Sequence, residues 1–403
     1  MSGDSLEILS PGVYNQNAGP DFTNVKIRIG NTTWVGNAEV HIRSSDWERH
    51  QHSLDGSYNN VILHIVYLYD RRVLRNDGTE PPTLEIKGFI KPTMEDRYKQ
   101  LMHALSWIPC AGQIGRIQDI HVSTWLSRML IERLQEKSRE VIQLVHEYKG
   151  SWEDAFYVLL ARNFGFKVNA LPFELVARSL PQQILSRHKN SVSQTEALLF
   201  GQAGLLNTRA DDAYVEELRR EYAFLQKKYH LNHVDTFLWK FLRLRPQNFP
   251  TLRMAQFAAL ILKSSHLFSR ILEIDDVSRI RKLFNDLQPS VYWRSHFRFG
   301  KTSSRVNGNL GEESINNILQ NTVALVIFSY GKYLQDERLV QKAVRILETL
   351  PFEKNHITNG FLRLGVEGGH ADRSQALLQL KKSWCDKKKC LLCSIGAKII
   401  NSD

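Results

Sequence analysis

Cysteine is scarce in this chain, four in 403 residues. That is too few for a disulfide framework, and three of the four crowd into Cys385, Cys390 and Cys393, a spacing that points to a metal or to nothing. Long apolar runs are missing as well. No stretch reaches the ~18 residues that a membrane span needs, and the polar opening MSGDSLEILSPG lacks the apolar segment of a secretion signal. A cytoplasmic protein is expected. The chain contains no GxxxxGK(S/T), GxGxxG, GxSxG or HExxH, which argues against an NTPase, a nicotinamide enzyme, an elbow-type serine hydrolase and a zincin. What is present, 42% hydrophobic and 24% charged residues, is the composition of an ordinary globular protein.

Basic residues outnumber acidic ones by 53 to 42, a net charge of +11. The excess is uneven. Residues 1–100 hold 11 basic and 13 acidic side chains, a balance of −2, which leaves 42 against 29, or +13, for the remainder. A polyanion such as nucleic acid is the simplest partner for that second part, although net charge discriminates weakly.

The length favours two domains. Within residues 1–100, Val25–Ile29 and Glu39–Arg43 alternate apolar and polar around the turn residues Gly30-Asn31-Thr32 and read as a hairpin. Ser45 with Glu48 has capping-box spacing and opens a short helix through His52; Val61–Tyr69 reads as a strand buried on both faces, and a further strand lies near Leu84-Glu85-Ile86. Residues 101–120 read as a linker, and residues 121–403 as an all-helical domain. Caps are expected at Ser151 and Ser193, with helices at 172–180, 210–229, 234–243, 251–264, 276–286, 312–330, 336–349 and 374–384. The class is α+β, an N-terminal α/β sheet followed by helices.

The densest set of ligand-type residues is Asp21, Glu39, His41, Asp46, His50, His52 and His64. Glu39 and His41 share one face of their strand. If the hairpin closes through a three-residue loop, Gly30 to Thr32, then Thr23 faces Glu39 and Asp21 faces His41, and two carboxylates converge with an imidazole. A two-residue loop shifts the register by one and breaks the convergence. Such a cluster suits Mg²⁺ or Mn²⁺, which takes carboxylate oxygens and activates a water. Taken singly, each residue has a blander role as a turn former, a solvated strand face or an exposed helix residue. Together they favour a site.

The runs Asn17–Phe22, Gly36–Trp47, Val61–Val66 and Ser193–Gln202, with the cysteine-rich end, resemble an uncharacterised bacterial family of unknown function. The Pro20-Asp21 pair, followed by Glu39-x-His41 on a hairpin partner, a helix and a core strand, is similar to the PD-(D/E)-x-K nuclease superfamily with its restriction-endonuclease-like core. That resemblance implies a metal-dependent phosphodiesterase, a nuclease acting on DNA or RNA. Asp21 and Glu39 would hold the metal, and His41 would stand where that superfamily has lysine. Arg43 would supply the missing positive charge, with Asp46, His50, His52 and His64 in support. The departure at lysine leaves two rivals: a non-catalytic nucleic-acid-binding or scaffold protein with a degenerate nuclease fold, and a zinc hydrolase built on His41, His50, His52 and His64.

Cys110 with Cys385, Cys390 and Cys393 would close a zinc or iron–sulfur site, with His370 as an alternative fourth ligand and unliganded thiols as the plain reading. One distant cysteine plus three near the end is similar to the staple of some iron–sulfur nucleases of helicase–nuclease type. In Tyr292–Lys301, rings interleave with Arg294, Arg298 and Lys301, candidates for nucleic-acid contact, while the rings themselves more simply form core.

Overall fold

The alternating and apolar runs of the first hundred residues form a mixed sheet. Its strands are β1 (Leu6–Ser10), β2 (Val13–Tyr14), β3 (Phe22–Ile29), β4 (Thr32–Arg43), β5 (Val61–Leu68) and β6 (Thr83–Glu85). They are ordered β1-β3-β4-β5-β6, with β2 also on β3. The structure is a computed structural model that describes residues 4–210, 212–304 and 306–402. The start of the polar opening segment, and residue 211 of the expected 210–229 helix, therefore lie outside the described residues. The chain divides into two compact units, one running to Ala104 and taking in residues from Ala397 onward, the other Leu105–Gly396. The class is α+β.

In the sheet unit, β3 and β4 are antiparallel, whereas β5 and β6 run parallel to β4. β5 has a neighbour on each side, and its first four residues are all buried, as a continuous apolar run requires. Val25, Ile27, Ala38, Ile62 and Leu63 make one core cluster, and Trp47, Tyr58, Val61 and Val73 another. Gly36 lets β4 pass close to the start of β5: a Cβ there would lie 2.5 Å from Ile62 Cγ2 and 2.6 Å from the Asn60 carbonyl oxygen. No side chain fits without separating the strands.

The hairpin departs from the expected register. Ile29 pairs with Thr32, so the loop has two residues, Gly30 and Asn31, and not three. The convergence survives because of a bulge. Val25 pairs with Gly36 but Phe22 with Ala38, so Thr23 and Asn24 together face Asn37, with Asn24 at a left-handed φ of 56°. The extra residue carries Asp21 to the level of Glu39, and neither the Thr23–Glu39 nor the Asp21–His41 pairing forms.

The helix after β4 is also shorter than expected. It is a single turn, α1 (Asp46–Arg49), and His52 begins a separate 3₁₀ turn. Ser45 makes no side-chain cap. Its hydroxyl and amide both donate to Asp70 instead, at 2.7 and 2.9 Å. Next come α2 (Pro92–His103) and, opening the regular helices of the second unit, α3 (Asp119–Glu147). Within the stretch expected to be a linker, Leu101, Ile108, Cys110 and Ile114 are buried.

Helices occur at Ala170–Ser179, Ala213–Tyr229, Pro250–Lys263, Val277–Phe284 and Glu337–Thr349, close to expectation, and Ser151 caps Trp152–Phe164 as anticipated. Four details differ. The cap expected at Ser193 is Ser191, whose side chain accepts the Gln194 amide. The 234–243 segment holds only the 3₁₀ turn Thr236–Leu238, because it is pinned from outside: the Trp239 indole donates to the Ala203 carbonyl and the Lys240 amide to Asn169 Oδ1. The 312–330 helix is interrupted by a wide π turn over Leu319–Val323, and the 374–384 helix ends in another over Leu380–Cys385. Helices at Leu267–Glu273 and His356–Arg363 were not anticipated.

Candidate metal centre

Four histidines converge on the face of β4 that carries Glu39 and His41. His64 comes from β5, where it pairs in register with Glu39. His50 and His52 come from the α1 turn and its sequel. Gln51 between them has φ 62°, a left-handed conformation rare outside glycine, and this reversal lets both neighbours reach His41. His41 Nδ1 lies 2.8 Å from His64 Nε2, and His41 Nε2 lies 3.1 Å from His50 Nδ1. Glu39 Oε1 stands 3.5 Å from His41 Nε2 and 3.2 Å from His52 Nε2. One ligand nitrogen from each of His41, His50 and His52 lies within 4.8 Å of the others.

The site is enclosed on most sides. Glu39, His41, His52 and His64 are buried, and His50 is exposed, so it marks the opening. Trp47, 0% exposed, forms the floor, with ring centroids 6.4 Å from His41, 5.4 Å from His52 and 5.0 Å from His64. Tyr58 stacks on His52 at 3.8 Å. These two rings were missed in the sequence, where an aromatic residue among histidines gives no positional signal; the Trp-x4-His interval was the one available hint.

Burial dominates the electrostatics. It lowers His41 to about 4 and His64 to about 3, with the neighbouring imidazoles adding to the effect. Both rings are therefore neutral near pH 7, the state in which imidazole binds a metal. Burial and the Glu39 charge raise Asp21, whose Oδ2 accepts the Val40 amide at 3.0 Å, while the Asp21 amide donates to Glu39 Oε2 at 2.9 Å. Asp46 is lowered because its carboxylate accepts the Arg43 amide, a turn-forming bond. The Tyr58 hydroxyl is pushed up to about 12 by burial and by Glu39.

The structure thus gathers Glu39, His41, His50, His52 and His64, with Asp21 behind Glu39. Arg43 is exposed, and its amide is bonded to Asp46. In the helical unit Arg294, Arg298 and Lys301 are exposed around a short hairpin, His296–Arg298 with Lys301–Thr302. Trp293 and Phe299 between them are buried, with Trp293 stacked on Phe200. The rings are core and the cations are surface.

The carboxylate pair and the imidazole trio offer different donor sets. Oxygen ligands suit Mg²⁺, whereas three imidazoles with one carboxylate suit Zn²⁺ or Mn²⁺. No curated protein and no solved structure matches the chain. A family model described as "Protein of unknown function (DUF2851)" matches residues 1–356, which includes the whole histidine cluster and stops short of Cys385. The chain belongs to that family.

Proposed function

We propose that the sheet unit is a metal-dependent hydrolase of phosphodiesters, a nuclease in reaction class, whose ion sits on His41, His50 and His52 with Glu39 as the carboxylate ligand. The observation that carries this reading is the convergence of three imidazole nitrogens within 4.8 Å, two of them on buried rings and one on the exposed His50. That donor set favours Zn²⁺ or Mn²⁺ over the Mg²⁺ expected from Asp21 and Glu39 alone. When bound, such an ion acidifies a water and offsets charge on the phosphate. The chain's own residues do the rest. His64 fixes the His41 ring from behind, Asp21 holds Glu39 through its amide, and Trp47 keeps bulk water from the floor. The phosphodiester assignment rests on the Pro20-Asp21 and Glu39-x-His41 likeness and on the basic helical unit with its exposed Arg294, Arg298 and Lys301.

One observation favours the rival, a non-catalytic nucleic-acid-binding or scaffold protein. The 3.1 Å contact between His41 Nε2 and His50 Nδ1 already satisfies both nitrogens without an ion. Cleavage assays with DNA and RNA in Zn²⁺, Mn²⁺ or Mg²⁺ separate the two. The hydrolase reading expects cutting that Glu39→Ala and His50→Ala abolish; undiminished cutting in both variants, or none with any ion, sinks it. Binding without cleavage, with a salt slope reduced by roughly 0.9 for each of Arg294, Arg298 and Lys301 replaced by alanine, would establish the rival.

A further inference from the structure

All four cysteines of the chain lie in the helical unit. Cys110 comes from its beginning and the other three from its end, yet the thiols lie near enough together that Cys110, Cys390 and Cys393 all oppose the ionisation of Cys385, and Cys390 and Cys393 oppose that of Cys110. All are free; Cys110, Cys390 and Cys393 are buried and Cys385 is half-buried. Burial pushes the Cys110 thiol up to about 12 and raises the other three. Thiols in that state are poor nucleophiles, so the group does not read as a reactive or catalytic cysteine site.

The surroundings are built for bound sulfur. The Cys393 amide donates to the Cys390 carbonyl oxygen at 3.3 Å, closing the Cys390-x2-Cys393 turn, and the amides of Ile395 and Gly396 are directed at the Cys393 sulfur. Gly396 is obligatory: a Cβ there would lie 2.2 Å from the Cys390 carbonyl oxygen. On the other side Trp125 of α3 meets Trp384 edge-on at 4.9 Å. The Trp125 indole N–H is buried without a hydrogen-bond partner, and it lies near enough to Cys393 to favour that residue's thiolate. An anionic sulfur beside it would supply the acceptor that this donor lacks. Lys381 and Lys388 bring positive charge to Cys385 and Cys390.

Spacing decides which metal group fits. Among the described residues, the trio of ligand atoms that closes to within 4.8 Å is the histidine set and not any three of these thiols. A tetrahedral zinc, with Zn–S near 2.3 Å, holds its sulfurs about 3.8 Å apart. An iron–sulfur cube is ligated from outside its corners and holds four thiolates farther apart.

We infer that Cys110, Cys385, Cys390 and Cys393 ligate a four-iron, four-sulfide cluster that ties the start of the helical unit to its end. Each thiol gives its proton to solvent on ligation. This site is separate from the histidine cluster and stands whether or not that cluster is a hydrolase. The test is iron and acid-labile sulfide analysis of the full chain, purified without oxygen and then supplied with sulfide and equal amounts of ferrous and ferric iron, the two ferrous and two ferric ions of the resting cluster. About four of each per chain are expected, in a brown protein whose colour Cys110→Ser and Cys393→Ser remove while circular dichroism shows the helices intact. A Trp125→Phe variant should keep its iron but change reduction potential, because it loses the donor beside Cys393. One zinc per chain with no sulfide would overturn the inference. So would the absence of any iron after reconstitution, or full iron content in Cys110→Ser.

Discussion

Asp21 and Glu39 hold each other in place: the Asp21 amide donates to the Glu39 carboxylate at 2.9 Å, and the Asp21 carboxylate accepts the amide of the next residue, Val40, at 3.0 Å. Each carboxylate therefore has one oxygen committed to backbone. Glu39 keeps Oε1 turned toward His41 and His52, so in the proposed site Asp21 is the clamp and Glu39 the ligand.

His64 should matter to metal affinity without touching the metal. Its Nε2 meets His41 Nδ1 at 2.8 Å, so it sets which His41 nitrogen carries the proton. His64→Phe keeps the buried volume and removes the partner. Titration calorimetry with Zn²⁺ or Mn²⁺ should show affinity weakened by about 10–100-fold. Unchanged affinity would mean that packing on Trp47 alone orients His41.

Gly36→Ala should damage both stability and the site. The added methyl meets Ile62 and the Asn60 carbonyl inside van der Waals distance, and relief requires β4 to move away from β5. A loss of about 1–3 kcal/mol in urea unfolding is expected, with weaker metal binding because Glu39, His41 and His64 sit along the same strand pair. Wild-type stability would show that the strand start yields without cost.

In the helical unit Glu196 supplies a pH test free of any metal. It is 1% exposed, accepts the Tyr214 hydroxyl at 2.9 Å, and is raised by burial from 4.5 to about 7. The unfolded chain loses this proton near pH 4.5 and the folded one not until about 7, so stability falls as pH rises through that window and levels off above it. Glu196→Gln should therefore be more stable than wild type above pH 7, by about 3 kcal/mol, and no different below pH 4.5. Denaturant melts at the two ends of the window would decide it; a gain that persists in acid would assign the effect to packing.

The sequence made parts of this legible because they have a period or a composition. β3, β4 and β5 alternate or run apolar, and the ligand-type residues between Asp21 and His64 are dense enough to stand out. What escaped depends on single backbone conformations. Asn24 and Gln51 adopt positive φ with no glycine to announce it, and these two residues set the carboxylate level and the facing of His50 and His52. Helical periodicity does not show where a turn widens, so Leu319–Val323 reads as ordinary helix. The Thr236 segment looks helical because its apolar spacing is right, but bonds from Ala203 and Asn169 claim it first. The proposed preference for an imidazole-binding ion over Mg²⁺ has the same origin: composition names the donors, and only the fold chooses among them.

Because residues from Ala397 onward rejoin the sheet unit, the whole of Leu105–Gly396 is an insertion within it. Arg97 of α2 reaches the Ile400 carbonyl oxygen at 3.5 Å across that sequence gap. During vectorial synthesis the ribosome must deliver the entire insert before the earlier unit receives its last piece. The N-terminal unit therefore cannot be complete before the insert has been made, unlike the usual case of consecutive domains. The strands of the histidine cluster are made early, but the unit that carries them takes in its Ala397–Ile400 piece only after the cysteine turn at Cys390–Cys393 has emerged.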